Sequence, residues 1–105
     1  MKMGNNIMGF LGLCRKAGFL LYGHDTVKES IVKNKAFLVI LSSDSSQRLK
    51  DEITSLACAD GRNVKVINSS FTMNDFAVCT GKKSGVFSVT DNGFAKRMEI
   101  MFGEA

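Results

Sequence analysis

Proline, low-complexity segments and internal repeats are absent from this chain of 105 residues. Linkers between domains are usually rich in proline, glycine or polar residues, so the sequence predicts a single domain over residues 1–105. The longest apolar run, Ala36 to Leu41, is far short of the about 20 residues that span a bilayer. The N-terminal segment is polar and then broken by glycines, unlike a signal peptide. We therefore expect a protein that is not exported and has no membrane partner.

Cysteine is scarce, because Cys14, Cys58 and Cys79 are an odd set with no close spacing. Neither a disulfide framework nor a C-x-x-C site is indicated, and no metal is expected. Apolar residues adjoin all three cysteines, which predicts that the thiols act as small hydrophobic side chains in the core. Unpaired thiols are typical of a reducing compartment, so we expect the protein in the cytoplasm.

Catalytic and nucleotide-binding motifs are also missing, because G-x-S-x-G, G-x-x-x-x-G-K-[ST] and G-x-G-x-x-G do not occur. The single histidine, His24, has no serine or cysteine beside it. A pairing of His24 in space with one of the three cysteines stays open as the alternative of an enzyme. Asp51 and Glu52 lie in the middle of a predicted helix, which is typical of a solvated face. We predict a protein that is not an enzyme and uses no cofactor or small-molecule substrate.

Basic residues moderately outnumber acidic residues in this chain. Lysine and arginine number 14 and the acidic residues 10, giving a net charge of +4 and a pI near 9.1. This excess permits binding to a polyanion without establishing it. Hydrophobic residues at 45% and charged residues at 23% are ordinary for a globular protein. This composition excludes disordered, collagen-like and coiled-coil chains.

The spacing of apolar residues predicts alternating helices and strands. The predicted helices run from Asn5 to about Ala17, from a cap at Asp25 or Thr26 to 33–35, from the capping residues of 42–46 to 60–61, over 73–79, and from a cap at Asp91 to the end. The predicted strands are 19–22, 36–41, 64–67 and 86–89. The pattern indicates an α/β fold, a three-layer α-β-α sandwich with a four-stranded mixed sheet and about five helices.

Two polar segments could hold an anion. Lys82 and Lys83 lie in a loop bounded by glycines, with no carboxylate nearby in the sequence, although such loops are often only solvated. The segment 23–28 lies where a strand meets a helix, and free N–H groups at a helix N-terminus bind phosphate. The alternative is that Gly23 makes the turn, Asp25 or Thr26 caps the helix and His24 is a surface residue.

Five segments in order carry a resemblance to a known family. They are 11–18 (LGLCRKAG), Tyr22-Gly23 opening a helix, 36–46 (AFLVILSSDSS), 76–82 (FAVCTGK) and 89–95 (VTDNGFA). Together they resemble the kink-turn RNA-binding ribosomal-protein family, which includes the large-subunit proteins seven-Ae and thirty-e. The small bacterial stand-alone members of YlxQ type are the most similar. The resemblance implies the same α-β-α sandwich and an RNA-binding domain over 1–105, ribosomal or ribosome-associated.

The resemblance also implies where RNA binds. The family's surface is formed by three loops at one end, and the RNA is a kinked internal loop with tandem sheared G·A pairs. The first loop reads guanine edges, and the last covers unstacked nucleotides. Carried over to this chain, the implied RNA-binding residues are Gly23, His24, Asp25, Thr26, Lys28, Glu29, Ser43, Asp44, Gly81, Lys82, Lys83 and Ser84.

The second helix departs from the family's pattern G-x-[NK]-[EQ]-x-x-K. Asp25, Thr26 and Glu29 occupy its last three named positions, so an acid replaces the family's lysine. Lys28 comes one residue early, about 100° round the helix. Loss of one bidentate base contact costs about 1–3 kcal/mol, so we expect weaker kink-turn binding. A protein-interaction module of the same fold that has lost the RNA site is the alternative.

Overall fold

Helices and strands alternate along the chain. The computed structural model describes residues 6–104. In chain order the elements are α1 (Ile7–Lys16), β1 (Leu20–Tyr22), α2 (His24–Val32), β2 (Leu38–Leu41), α3 (Gln47–Cys58), β3 (Lys65–Asn68), α4 (Met73–Thr80), β4 (Val86–Val89) and α5 (Asn92–Glu104). A short 3₁₀ turn, Ala59–Gly61, follows α3. None of the helices described is long and apolar enough to cross a membrane.

The four strands form one mixed sheet in the order β1-β4-β2-β3. Strands β2 and β3 are parallel, whereas β4 is antiparallel to both β1 and β2. All residues of the central strands β2 and β4 are buried, whereas the edge strand β3 is partly exposed. The apolar run from Ala36 to Leu41 predicted a strand buried on both faces, and β2 confirms this prediction.

Alternate side chains of the sheet pack against two different layers of helices. Leu38, Ile40 and Phe87 belong to a core shared with residues of α1, α4 and α5. Val39 and Leu41 belong to a second core shared with residues of α2 and α3. Helices therefore cover both faces of the sheet, which confirms the predicted three-layer α-β-α sandwich with four strands and five helices.

Side-chain caps fix the starts of four helices, the first being α1, where the Asn6 side chain accepts the N–H of Gly9. The Ser46 side chain accepts a backbone N–H at the start of α3. Thr72 and Asp75 form a reciprocal capping box at α4. Asp91 Oδ2 accepts the N–H of Phe94 at 2.9 Å, which confirms the predicted cap of the terminal helix. The caps of α3, α4 and α5 place these helix starts next to the ends of the strands that precede them.

Helix α2 begins earlier than the sequence predicted. Its N-cap is Gly23, and no side chain caps it, so the predicted cap at Asp25 or Thr26 is wrong. Gly23 has a φ of 97°, a conformation that favours glycine. Its carbonyl accepts the N–H of Val27 at 3.0 Å, which closes the first turn before Asp25 and Thr26 could act as caps. Both residues therefore lie within the first turn of α2.

Three strands, β1, β2 and β3, begin one or two residues later than predicted, because N–H groups before them still bond to the preceding helix. The N–H of Phe19 donates to the carbonyl of Cys14 at 3.0 Å, at the end of α1. The N–H of Ala36 donates to the carbonyl of Ser30 at 3.1 Å, which closes the end of α2. The N–H of Val64 donates to the carbonyl of Ala57 at 3.1 Å, which holds it against α3. The predicted start of the first helix at Asn5 lies outside the described residues.

Helices α1 and α4 approach each other closely at Gly12. A Cβ atom built on Gly12 would lie 2.8 Å from the backbone carbonyl oxygen of Cys79. Backbone cannot move away as a flexible side chain could, so any larger residue must push the two helices apart. The close contact of the two helices therefore requires glycine at this position.

We expect Gly12→Ala to lower the free energy of unfolding by about 1–2 kcal/mol. Overpacking costs about 1–3 kcal/mol, and the better helix propensity of alanine offsets up to about 1 kcal/mol of it. Gly103→Ala in α5 is the control, because nothing lies within 4 Å of its added Cβ. Urea unfolding followed by circular dichroism measures both variants. Equal losses in the two variants would contradict the close approach.

The three cysteines lie in different environments. Cys14 is fully buried, and burial, with a smaller contribution from the Asp91 charge, raises the pKa of its thiol to about 12. Cys79 is half-buried, and burial raises its pKa as well. Cys58 is exposed, so the prediction of a core thiol is wrong there. The inward face of α3 ends at Ala57, one residue before it.

We expect a thiol reagent such as Ellman's to modify Cys58 rapidly in the folded protein, Cys79 more slowly and Cys14 only after unfolding. Reaction requires an accessible thiolate, which burial denies to Cys14. The time course of modification with and without urea measures the three rates. Cys58→Ser should remove the fast phase alone. A fast phase that survives this substitution would contradict the assignment.

Candidate nucleic-acid interface

Three polar segments lie at one end of the sheet. Strand β4 is antiparallel to both β1 and β2, and its first residues pair with their last, Phe87 with Tyr22 and Val86 with Leu41. The turn after β1, the turn after β2 and the loop before β4 therefore share this end. We call the surface formed by residues 22–29, 42–46 and 81–85 the tip. It contains all twelve residues that the resemblance implied as RNA-binding.

Backbone and hydroxyl hydrogen bonds join the three segments of the tip. The Ser84 hydroxyl accepts the N–H of Gly23 at 3.2 Å and donates to the carbonyl of Val86 at 2.8 Å. The N–H of Ser42 donates to the carbonyl of Gly85 at 2.9 Å. The loop before β4 is therefore held against both other segments. Ser84 itself is buried, so its hydroxyl positions the loops.

The second segment is fixed to the start of α4. Asp44 Oδ1 accepts the N–H of Met73 at 3.0 Å, and the N–H of Ser43 donates to the carbonyl of Phe71 at 2.7 Å. The pKa of Asp44 is lowered, first by the Ser42 hydroxyl and then by backbone N–H groups, with a contribution from the charge of Lys83. Asp44 is thus an ionised residue that organises the loop, while the Ser43 side chain is exposed.

The first turn of α2 presents polar groups to solvent. His24, Asp25 and Thr26 are exposed, and no side chain caps the N–H groups of this turn. Uncapped N–H groups at a helix start are donors for an anion or a base edge. Glu29, one turn later, is also exposed and pairs with Lys33 at 3.1 Å. This part of the tip therefore combines backbone donors with acidic side chains.

Glu52 of α3 contacts two of the predicted site residues. Its Oε1 lies 2.9 Å from His24 Nε2, and its Oε2 lies 2.7 Å from Lys28 Nζ. Hydrogen bonds from Lys28 and then from His24 lower the pKa of Glu52. The sequence predicted only a solvated helix face for Asp51 and Glu52. No local signal reveals the role of Glu52, because its partners lie 24 and 28 residues away.

The two lysines of the last segment have different surroundings. Lys82 Nζ is 5.2 Å from the ring centroid of Tyr22, whose side chain is exposed. Lys83 is exposed, and Gly81 begins the loop in a left-handed conformation with φ 79°. Within residues 6–103, neither lysine forms an ion pair with a carboxylate. Tyr22 was not among the predicted site residues, although it is the single tyrosine and directly precedes Gly23.

The structure brings His24 to a carboxylate and not to a thiol. Cys14 belongs to the core on the opposite face of the sheet. The sulfur atoms of Cys58 and Cys79 lie near backbone carbonyls of their own helices. Across the described residues, no three His, Cys, Asp or Glu side chains are grouped so that they could hold a metal ion.

Comparisons with known proteins agree with this architecture. The chain is 28% identical over 96 residues to the RNA-binding protein YlxQ of Enterococcus faecium. The aligned region covers 86% of this chain and 84% of that relative. A Bacillus halodurans protein of unknown function has a similar structure, with a TM-score of 0.86 at 24% identity over 94% of this chain and 98% of that one. A Giardia lamblia 15.5 kD RNA-binding protein superposes with a TM-score of 0.70 at 16% identity, over 93% and 82% of the two chains. At these identities the two structures establish the fold alone.

The family comparison covers nearly the whole chain. A family model matches residues 5–99, which span all the elements except the end of α5. This range includes every residue of the tip. The chain therefore belongs to the ribosomal protein L7Ae/L30e/S12e/Gadd45 family, in agreement with the resemblance in its sequence.

Proposed function

We propose that this protein is a non-catalytic, cytoplasmic RNA-binding protein that holds structured RNA at the tip. Its family and the RNA-binding relative from Enterococcus faecium support this function. The observation that carries the proposal is the last segment of the tip. There, two lysines form no ion pair with a carboxylate in the described chain. Lys82 also lies against the exposed ring of Tyr22, which directly precedes Gly23 and the uncapped start of α2.

Each part of the tip has a proposed task. Lys82 and Lys83 attract phosphates, and the ring of Tyr22 offers a surface on which an unstacked base can lie. The uncapped start of α2, near His24 and Thr26, donates hydrogen bonds to phosphates or base edges. Such a surface suits kinked or single-stranded RNA better than a regular A-form helix, whose major groove is too narrow to read.

The proposed ligand is a kink-turn-like internal loop, in ribosomal RNA or an RNA associated with the ribosome. Asp25, Thr26 and Glu29 replace side chains that the family's pattern uses, and Glu29 pairs with Lys33. Ionised Asp25 accepts hydrogen bonds but cannot donate one to a guanine edge. We therefore expect the backbone and Lys82–Lys83 to contribute more here than the first loop. Crosslinking in cells followed by sequencing of the attached RNA would identify the ligand.

Acidic side chains in the tip and beside it favour a second candidate function. Asp25, Glu29 and Glu52 carry negative charge next to the proposed RNA contacts, which suits an interaction module that binds another protein through the same fold. Isolation of the tagged protein before and after ribonuclease treatment separates the two. Partners that are lost with the RNA support RNA binding, and partners retained without it support the interaction module.

We expect Lys82→Ala/Lys83→Ala to weaken binding of a fluorescent kink-turn hairpin RNA about tenfold or more. The log–log slope of affinity against salt should fall by about 1–2, because each neutralised phosphate contributes about 0.7–0.9. Fluorescence anisotropy over a range of salt concentrations measures both quantities.

A matched control for this double variant is Lys35→Ala/Lys65→Ala. Both residues are exposed, and Lys65 pairs in register with Leu38, at the end of the sheet opposite the tip. The control removes the same charge but at a distance from the tip. We therefore expect its salt slope to stay close to that of wild type. Identical slopes for the two double variants would assign the effect to net charge and contradict a site at the tip.

We expect Tyr22→Ala to weaken binding of the same RNA by about 1–3 kcal/mol, the range typical of one lost base–aromatic stack. Tyr22→Phe keeps the ring and should bind like wild type. Anisotropy titrations measure the affinities, and circular dichroism checks that both variants fold. Wild-type affinity in Tyr22→Ala would exclude stacking on this ring.

A further inference from the structure

One carboxylate engages both basic side chains of α2 at the tip. Glu52 uses Oε1 for His24 and Oε2 for Lys28, at 2.9 and 2.7 Å, so each oxygen is occupied. His24 and Lys28 are one helical turn apart and face α3 together. The contact with Lys28 is an ion pair, and the contact with His24 becomes one when the imidazole is protonated.

Two of the other acids near the tip, Asp44 and Glu29, are engaged elsewhere, and no ion pair joins the third, Asp25, to a basic side chain of residues 6–103. Asp44 accepts the N–H of Met73 and belongs to the loop structure, and Glu29 pairs with Lys33 farther along α2. Glu52 alone among them contacts basic side chains that the RNA site would use. Lys82 and Lys83 form no ion pair with a carboxylate of residues 6–103, although the charge of Lys83 interacts with that of Asp44.

The pairs of Glu52 are partly exposed and therefore easy to exchange. The side chains of Lys28 and Glu52 are 35% and 39% exposed. Ion pairs in such positions contribute little to stability, because water and salt screen them. A phosphate that approaches Lys28 therefore competes with a carboxylate already in place, and it also meets the negative charge of that carboxylate.

We propose that Glu52 is a specificity-determining residue that competes with the RNA backbone for His24 and Lys28. This inference rests on the proposed function at the tip. Glu52 withdraws the α2 side from general phosphate binding, so attraction to phosphate is concentrated at Lys82 and Lys83. An RNA engages the side chains of His24 and Lys28 only when its strand displaces the carboxylate.

The test is the variant Glu52→Gln, with Asp51→Asn as its matched control. Both remove one negative charge from the same turn of α3, but Asp51 bonds to Gln47 and contacts neither His24 nor Lys28. The probes are the kink-turn hairpin RNA and a plain RNA duplex of equal length. Anisotropy titrations at several salt concentrations give the affinity and its salt slope.

We expect Glu52→Gln to bind the plain duplex about three- to tenfold more tightly than wild type, with a salt slope steeper by about 1. Asp51→Asn should change affinity by less than about twofold and leave the slope unchanged. Adding Lys28→Ala to Glu52→Gln should remove the gain, whereas Lys28→Ala alone should have little effect. A steeper slope is not expected of a residue that only supports the fold.

The outcomes separate the two levels of the proposal. Equal affinities and slopes for Glu52→Gln and Asp51→Asn would overturn the role of Glu52 and leave RNA binding in place. Weaker binding by Glu52→Gln would overturn it as well, because Glu52 would then be a residue that positions Lys28 for RNA. If wild type and Glu52→Gln bind neither probe even at low salt, both the proposed function and this inference fail.

Discussion

The antiparallel pairing of β4 with both β1 and β2 is the constraint on which the tip depends. It brings the start of one strand beside the ends of two others, so three segments distant in sequence become neighbours. The Ser84 hydroxyl and the carbonyl of Gly85 then join these segments by hydrogen bonds. A parallel β4 would move its preceding loop, with Lys82 and Lys83, to the opposite end of the sheet.

Most of the fold could be predicted from sequence, because the buried faces of helices and strands impose a regular spacing on the apolar residues. The uninterrupted apolar run that ends in β2 indicates a strand covered on both faces, and Asp91 lies where a capping residue is needed. The start of α2 could not be predicted in the same way. Asp25 and Thr26 are good capping residues, but the backbone at Gly23 turns first and closes the helix without them. Strand order is likewise a property of long-range pairing that local periodicity does not contain.

The candidate site was predictable only where it is local or where the family resemblance supplied it. Glycines beside Lys82 and before His24 mark the loops in the sequence. The partners of those residues are not marked, since Tyr22 and Lys82 are 60 positions apart and Glu52 comes from another helix. Side chains that meet across elements depend on the angle and register of packing, which a single sequence does not specify. The sequence therefore indicated the segments that form the tip but not the contacts within it.

Charge at the tip is balanced in a way that net charge does not reveal. The chain carries +4 overall, yet the α2 side of the tip holds Glu52 against its own basic residues, while the β4 side leaves two lysines without carboxylate partners in the described chain. A surface divided in this way attracts a polyanion from one side and admits it to the other only by exchange. On the proposed function, the same lysine content could therefore serve general attachment in one loop and discrimination in the next. Whether a lysine serves attachment or discrimination then depends on its position relative to a carboxylate, and not on the number of basic residues.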